Sequence, residues 1–276
     1  MMEEQFEVVL VVAGDDLYKL NIVCNNLLKN SNPSKVSIIT NDIEKAKKII
    51  GERQEIKIID EKTILKPFNN EQQSRYSIAG FPKRYFWYYQ QFLKMAYSYY
   101  CESQYYLIWD ADTVLTKSID FFKEGIPIYT QGKESLHPEY KSTFNRLFSL
   151  PYLSNHSFIA QHMIINKEIM QEIISKLGGI SSFQNTIIDN LCGKTQSQFS
   201  EYETYFNYIL ALNKPHVILK RNWFRYGAAL IGFNPKDKDI LKLSKYYDYV
   251  AFEKFDVGFL KKVRASLIHF LSIWNR

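Results

Sequence analysis

An α/β fold with a mainly parallel sheet is what this 276-residue sequence predicts, and three observations predict it. Short apolar runs alternate with segments of helical period through the first half, the pattern of parallel strands joined by helices. Several of those runs end in Asn, Asp or Gly, where a buried strand would hand over to a loop. No low-complexity linker divides the chain. One domain over 1–255 is therefore expected, with a first half of nucleotide-binding type at 1–115, a second half at 116–255, and a basic amphipathic helix at 256–276.

Residues 6–13 form the first apolar run and stop at Gly14-Asp15-Asp16. Leu17, Leu20, Val23, Cys24, Leu27 and Leu28 then recur at helical spacing, so a helix is predicted over 17–29, broken by Asn32-Pro33. A second strand is expected at Val36–Thr40, closed by Asn41-Asp42. A charged helix at 43–50 and a third strand at Ile56–Ile59 follow, then a polar loop over 60–82 ending near Gly80 and Pro82. An aromatic helix is predicted over 84–101 and a strong buried strand at Tyr105–Trp109. Beyond 125 the expected strands are 127–131, 157–165, 216–220 and 228–233, and the expected helices 139–149, 167–177 and 201–212.

Composition narrows the function classes. The chain is 46% hydrophobic and 23% charged, enough to bury a core and far from a disordered composition. No apolar run approaches the ~18 residues of a membrane span, and acids rather than lysines precede the first apolar stretch. Cys24, Cys101 and Cys192 lie far apart, which excludes a disulfide framework or zinc cluster and suits a reducing, cytoplasmic setting. The net charge of +6 is concentrated: Lys261, Lys262, Arg264 and Arg276 put +4 into residues 259–276, which hold no acid. A nucleic-acid groove needs basic residues spread over the folded body, so no nucleic-acid partner is expected.

The most informative segment is Trp109-Asp110-Ala111-Asp112-Thr113 at the end of the predicted fourth strand. In open α/β sheets, ligands bind beyond the carboxyl ends of strands. Carboxylates at i and i+2 of an extended chain point the same way, and a divalent cation relieves their repulsion. A plain surface turn also uses Asp, but a buried strand running directly into the pair argues against a turn alone.

Trp109–Thr113 resembles the DxD motif of GT-A fold glycosyltransferases, most closely bacterial enzymes that build lipopolysaccharide or capsule sugars. Three further segments carry the likeness: Trp87–Lys94 before the pair, with Gln90 and Gln91, and Ser157–Met163 and Ser200–Tyr205 after it. Together they cover about residues 6–233. The resemblance implies a Rossmann-type mixed sheet flanked by helices. It also implies sugar transfer from a nucleoside diphosphate sugar, with UDP favoured, to a hydroxyl of a glycan or lipid-linked acceptor. By likeness, Asp110 and Asp112 would ligate Mn²⁺ or Mg²⁺, which neutralises the leaving diphosphate. Asp110 could instead contact the ribose, and Lys94 would add positive charge to the diphosphate. Gln90, Gln91, His162 and Arg225 are further candidates for nucleotide-sugar contacts. One of Asp15, Asp16 and Asp42, just after the first two strands, would contact base or ribose.

An inverting transfer needs a carboxylate base. Glu201 and Glu203 are the candidates, although Ser200-x-x-Glu203 ahead of an amphipathic run is also a capping box. That motif accounts for Glu203 and leaves Glu201 without a structural explanation. His162 would otherwise be a satisfied structural histidine, and Arg221 and Arg225 ordinary loop arginines.

In the C-terminal segment Leu260, Val263, Leu267, Phe270, Leu271 and Trp274 form one stripe of a helical wheel. Lys261, Lys262, His269 and Arg276 lie opposite, the pattern of a helix in a membrane surface. A terminal helix packed by its stripe on the domain is the alternative. The first reading predicts a cytoplasmic protein, peripheral on the inner face of the membrane. Two rivals stand beside glycosyl transfer: a haloacid-dehalogenase-type phosphatase with Asp110 as nucleophile, and a non-catalytic membrane-associated sugar-binding domain. The phosphatase family places its motif near the start of its domain, whereas three predicted strands precede it here.

Overall fold

The computed structural model describes residues 4–70, 73, 84–191, 195–254, 263 and 265–270. Strand β1 (Phe6–Val11) leads through a 3₁₀ turn (Gly14–Lys19) into helix α1 (Leu20–Ser31). Then come β2 (Lys35–Thr40), α2 (Ile43–Ile50), β3 (Ile56–Asp60) and a single helical turn, α3 (Glu61–Ile64). Helix α4 (Arg84–Ala96) runs into β4 (Tyr105–Trp109) through a 3₁₀ turn at Tyr97–Tyr99. The second half holds β5 (Thr113–Leu115), β6 (Phe122–Lys123), β7 (Ile126–Thr130) and α5 (Pro138–Phe148). Next are β8 (His162–Asn166), α6 (Lys167–Lys176), α7 (Phe183–Asp189) and α8 (Glu201–Ala211). The last are β9 (Val217–Leu219), α9 (Gly227–Ile231), α10 (Asp237–Leu243) and β10 (Tyr249–Ala251).

The central sheet has the order β3-β2-β1-β4-β8. Its first four strands are parallel and β8 is antiparallel to β4, so the sheet is mixed and flanked by helices, as the sequence predicts. Val8, Val9 and Leu10 of β1 and Leu107, Ile108 and Trp109 of β4 are fully buried, the near-continuous apolar pattern of strands covered on both faces. Chain order runs outward from β1 to β3 and then returns to the other side of β1 with β4. Loops after β1 and β4 therefore diverge from one another, and the crevice at such a switch point is where open α/β sheets bind ligands.

Several boundaries differ from the sequence reading. The predicted strand at 228–233 is helix α9, since a short apolar run does not distinguish strand from helix. Gly227 opens it where a Cβ would come within 2.5 Å of Val250 Cγ1 and 2.7 Å of the Ala251 carbonyl. The strand expected at 157–165 begins only at His162, and the helix expected to 101 ends at Ala96. Strands β5, β6 and β10 and helices α7 and α10 were not visible as patterns, being seven residues or fewer. Gly80 and Pro82 lie outside the described residues, as do Leu260, Lys261, Lys262, Arg264, Leu271, Trp274 and Arg276 of the C-terminal segment. Cys24 and Cys101 are free, buried thiols, each pushed up to about 12 by burial, and Cys192 is outside the described residues. No helix among the described residues is long and apolar enough to cross a membrane.

The aromatic load of α4 is structural. Tyr85, Tyr88, Tyr89 and Phe92 are buried, and a buried tyrosine needs a partner for its hydroxyl. Tyr85 accepts from the Phe68 amide at 2.8 Å, Tyr88 donates to the Gln196 carbonyl at 3.0 Å, and Tyr89 donates to the Leu65 carbonyl. These bonds fix the helix that carries Gln91 and Lys94.

Glu7 is a charged residue buried in β1. It accepts from the Glu102 amide at 2.7 Å, the Ser103 amide at 2.9 Å and the Tyr97 hydroxyl. Burial raises its carboxyl, but the bonds from Tyr97, Ser103 and Glu102 outweigh burial and hold it below its ordinary 4.5. A depressed folded value means that its stabilisation is present above the unfolded value and is lost as pH falls through the folded one. Glu7→Gln is expected to cost about 1.5–3 kcal/mol at neutral pH, the range for hydrogen bonds to a charged group. In urea titrations, the gap between wild type and variant should be constant near neutrality and close as pH drops below 4.5.

Candidate functional site

Trp109 ends β4 with its indole nitrogen donating to the Thr113 carbonyl at 2.7 Å, which folds Asp110-Ala111-Asp112 into a turn. The Thr113 amide donates to the Asp110 carbonyl at 3.0 Å, and the Asp110 amide to the Gln161 carbonyl at 2.9 Å. The pair thus stands at the switch point, on a turn rather than on the extended chain the sequence suggests. Both side chains are half-buried.

Asp110 is held from beneath. Its Oδ1 accepts from Lys94 Nζ at 2.6 Å and from the Tyr202 hydroxyl at 2.9 Å. Lys94 also donates to Glu201 Oε1 at 2.8 Å. Glu201 opens α8, and its amide donates to Gln91 Oε1 at 3.0 Å, so α4 and α8 are joined by both charge and cap. Burial alone would lower the Lys94 amine, but the carboxylates of Asp110 and Glu201 outweigh it and hold it protonated. Burial raises the Glu201 carboxyl against the pull of Lys94.

Asp112 has a different environment. Burial, then the negative charges of Asp110, Glu253 and Asp16, push its carboxyl up to about 8, with Lys19 opposing. Lys19 has no exposed side-chain surface; its amine pairs with Asp16 and lies 3.2 Å from the centroid of the Phe233 ring. Asp15 pairs with Lys254. Glu253 accepts from Arg225 at 3.0 Å and from Gln161 Nε2 at 3.4 Å, and Arg225 also pairs with Glu134. Gln161 accepts from the Thr113 hydroxyl at 3.2 Å. It does so from a left-handed backbone, φ +67°, a conformation costing a non-glycine residue about 1 kcal/mol and frequent at functional sites.

Of the residues singled out in the sequence, Asp16, Asp110, Asp112, Lys94, Glu201 and Gln91 thus belong to one connected group, with Asp15 and Arg225 at its rim. Gln90 is half-exposed on the same helix as Gln91. Asp42 instead caps α2, accepting from the Lys45 amide at 3.2 Å. Glu203 is committed elsewhere: it accepts from Tyr152 and Ser157 hydroxyls, each at 2.7 Å, and from the Phe158 amide at 2.8 Å. Its own amide donates to Ser200 Oγ at 3.4 Å, the cap that Ser200-x-x-Glu203 predicts, but its carboxylate does not return to close the box. Glu201 and Glu203 are only 4% and 1% exposed, so neither is open to an acceptor hydroxyl. His162 sits against Trp109, Phe121 and Tyr249, with Nδ1 at 3.0 Å from the Ala160 carbonyl and Nε2 at 3.3 Å from the Thr130 hydroxyl. Burial and the Arg221 charge push it down to about 3, so it is neutral and structural at physiological pH. Arg221 is spent on Thr130 and the Asp120 carbonyl.

Lys19, Tyr202 and Glu253 were missed from sequence. A helix from residue 17 would turn Lys19 away from the apolar face; the 3₁₀ turn to residue 19 turns it inward. For Tyr202 the signal was present, two residues from Ser200 in a segment already singled out.

Fold and site define a class: a mixed-sheet α/β protein with a cluster of aspartates, backed by a buried lysine, at the switch point. The chain belongs to a family of unknown function, DUF6492, matched over residues 5–229. That span includes the site residues named above except Phe233, Glu253 and Lys254. Comparison with curated proteins gives no significant match.

Proposed function

We propose that the chain is a metal-dependent glycosyltransferase of GT-A type. It would move a sugar from a nucleoside diphosphate sugar, UDP favoured, to a hydroxyl of a glycan or lipid-linked acceptor. The observation that carries this reading is the placement of Asp110 and Asp112 just beyond β4, with Asp16 from the turn after β1 close enough to raise the Asp112 carboxyl, at the strand ends where nucleotides bind in sheets of this kind.

The crevice suits a divalent cation on two grounds. Its donors are carboxylate oxygens, hard ligands of the kind Mg²⁺ and Mn²⁺ take. Burial, then the charges of Asp110, Glu253 and Asp16, push the Asp112 carboxyl up to about 8, and a cation would offset both. Among the described residues no group of three His, Cys, Asp or Glu side chains is arranged around a metal. Two carboxylates, with diphosphate oxygens and water completing the shell, is a common arrangement for Mg²⁺. Asp110 through Oδ2 and Asp112 would hold the ion, which when bound supplies the charge that neutralises the departing diphosphate. Lys94, with Glu201 behind it and Tyr202 beside it, orients Asp110 rather than reaching the diphosphate. Asp15 and Asp16 would offer acceptors to ribose or base hydrogens.

A thermal-shift screen of UDP-, GDP- and CDP-sugars, each with and without Mn²⁺, tests the reading. A ligand at 100 times its Kd stabilises by about 2.7 kcal/mol, a rise of roughly 5–10 °C for a chain of this size. The rise is expected with a UDP-sugar and Mn²⁺ together. An unchanged melting temperature across the set, or release of inorganic phosphate from a phosphomonoester, overturns it.

A further inference from the structure

Thr113, at the start of β5, is fully buried, and its hydroxyl has two acceptors in reach: Asp112 Oδ1 and Gln161 Oε1, each at 3.2 Å. A hydroxyl carries one proton, so it serves one of them at a time. Where that proton goes decides whether the Asp112 oxygen is left free. Gln161 is placed to take it. Its amide is pinned at the other end, where Nε2 donates to Glu253 Oε1 at 3.4 Å. Turning the amide over would set Oε1 against the Glu253 carboxylate. It would also aim N–H donors at the hydroxyl, whose proton would then go to Asp112. Glu253 is itself held by Arg225 at 3.0 Å. The Gln161 carbonyl accepts from the Asp110 amide at 2.9 Å, which ties residue 161 to the same turn. All this is done at φ +67°, where a glycine would sit without strain but would bring no side chain.

We propose that Gln161 is a positioning residue: by accepting the Thr113 proton it keeps Asp112 Oδ1 open to a divalent cation. The proposal rests on the reading of Asp112 as a cation ligand and adds what holds that ligand ready. A carboxylate oxygen engaged by a hydroxyl proton has less charge to give a cation. Hydrogen bonds to a charged group are strong enough to matter, the weaker ones being worth about tenfold in an equilibrium.

The test is a mutant cycle on the full-length protein with Mn²⁺ alone as probe, bound metal being counted from the electron paramagnetic resonance of the free ion. Gln161→Met keeps the side-chain length and removes the amide. In the otherwise wild-type chain it should weaken Mn²⁺ binding about tenfold, because the Thr113 proton then passes to Asp112. In a Thr113→Val chain, which has no such proton, the same substitution should change Mn²⁺ affinity by less than about twofold. Thr113→Ser keeps the hydroxyl and should restore the tenfold cost of about the same size. Gln161→Leu is carried through the same cycle, so that a folding failure of the Met variant does not end the test. A Gln161 that merely supports the loop would cost the same in all three backgrounds, and that result overturns the proposal. Undiminished binding by Gln161→Met in the wild-type background also overturns it, and leaves the cation reading standing. If wild type itself binds no Mn²⁺, the cation reading falls and this proposal with it.

Discussion

Asp112→Asn is expected to abolish the Mn²⁺-dependent part of nucleotide-sugar binding and to lower turnover by roughly 10³-fold, several kcal/mol of lost charge stabilisation. The fold should tolerate it. Burial, then the charges of Asp110, Glu253 and Asp16, already push the Asp112 carboxyl up to about 8. A folded value above the unfolded one makes ionised Asp112 a cost to stability as pH rises toward it, and the neutral amide removes that cost. The melting temperature of the variant without metal should therefore equal or exceed that of wild type. A cation binding at Asp112 must also displace its proton, so apparent Mn²⁺ affinity should rise with pH and level off above about 8. Calorimetry in two buffers of different ionisation enthalpy would detect that proton release in wild type and its absence in the variant. Unaltered metal-linked binding in Asp112→Asn would remove the cation from the crevice and the proposed chemistry with it.

Lys94→Met should cause the largest loss of stability. Its amine is 6% exposed and lies between Asp110 and Glu201, the latter 4% exposed. Removing the cation leaves a buried carboxylate uncompensated, which costs about 3–5 kcal/mol. For a chain of this size that corresponds to a fall in melting temperature of roughly 6–20 °C. Adding Glu201→Gln to Lys94→Met should restore part of the loss, because the stranded charge is then gone. Urea unfolding of the two variants makes the comparison. If the single variant unfolds like wild type, Lys94 does not organise the site. In the Lys94-intact background, Glu201→Gln should weaken Mn²⁺-linked nucleotide binding through Asp110. A base would instead lower turnover and leave that binding unchanged.

The sequence carried much of the first half. The runs at Phe6–Val11, Lys35–Thr40 and Tyr105–Trp109 are apolar because strands covered on both faces must be, and the Asp pair could be placed beyond the fourth strand for the same reason. Ser200 as a cap was legible from its own spacing to Glu203. The partners of the charged groups were not. Lys94 and Glu201 meet across 107 residues, and no local pattern records a contact of that range. Lys94 therefore read as a cation aimed at a ligand, and Glu201 as a carboxylate with nothing to neutralise. Lys19 was not singled out, because its burial depends on a 3₁₀ turn with no hydrophobic period of its own.

The tail divides in the same way. Its wheel gave an apolar stripe and a basic complement, and either side could have met the domain. The choice was made by Tyr247, which offers His269 a hydrogen-bonding hydroxyl, and by the room for Ala265 and Ile268 beside it. What the sequence alone determined is what depends on chain geometry: which segments can be strand or helix, and where strands end. Tertiary structure decided which charges neutralise one another and which face of a helix meets solvent, because both depend on groups brought close only by folding.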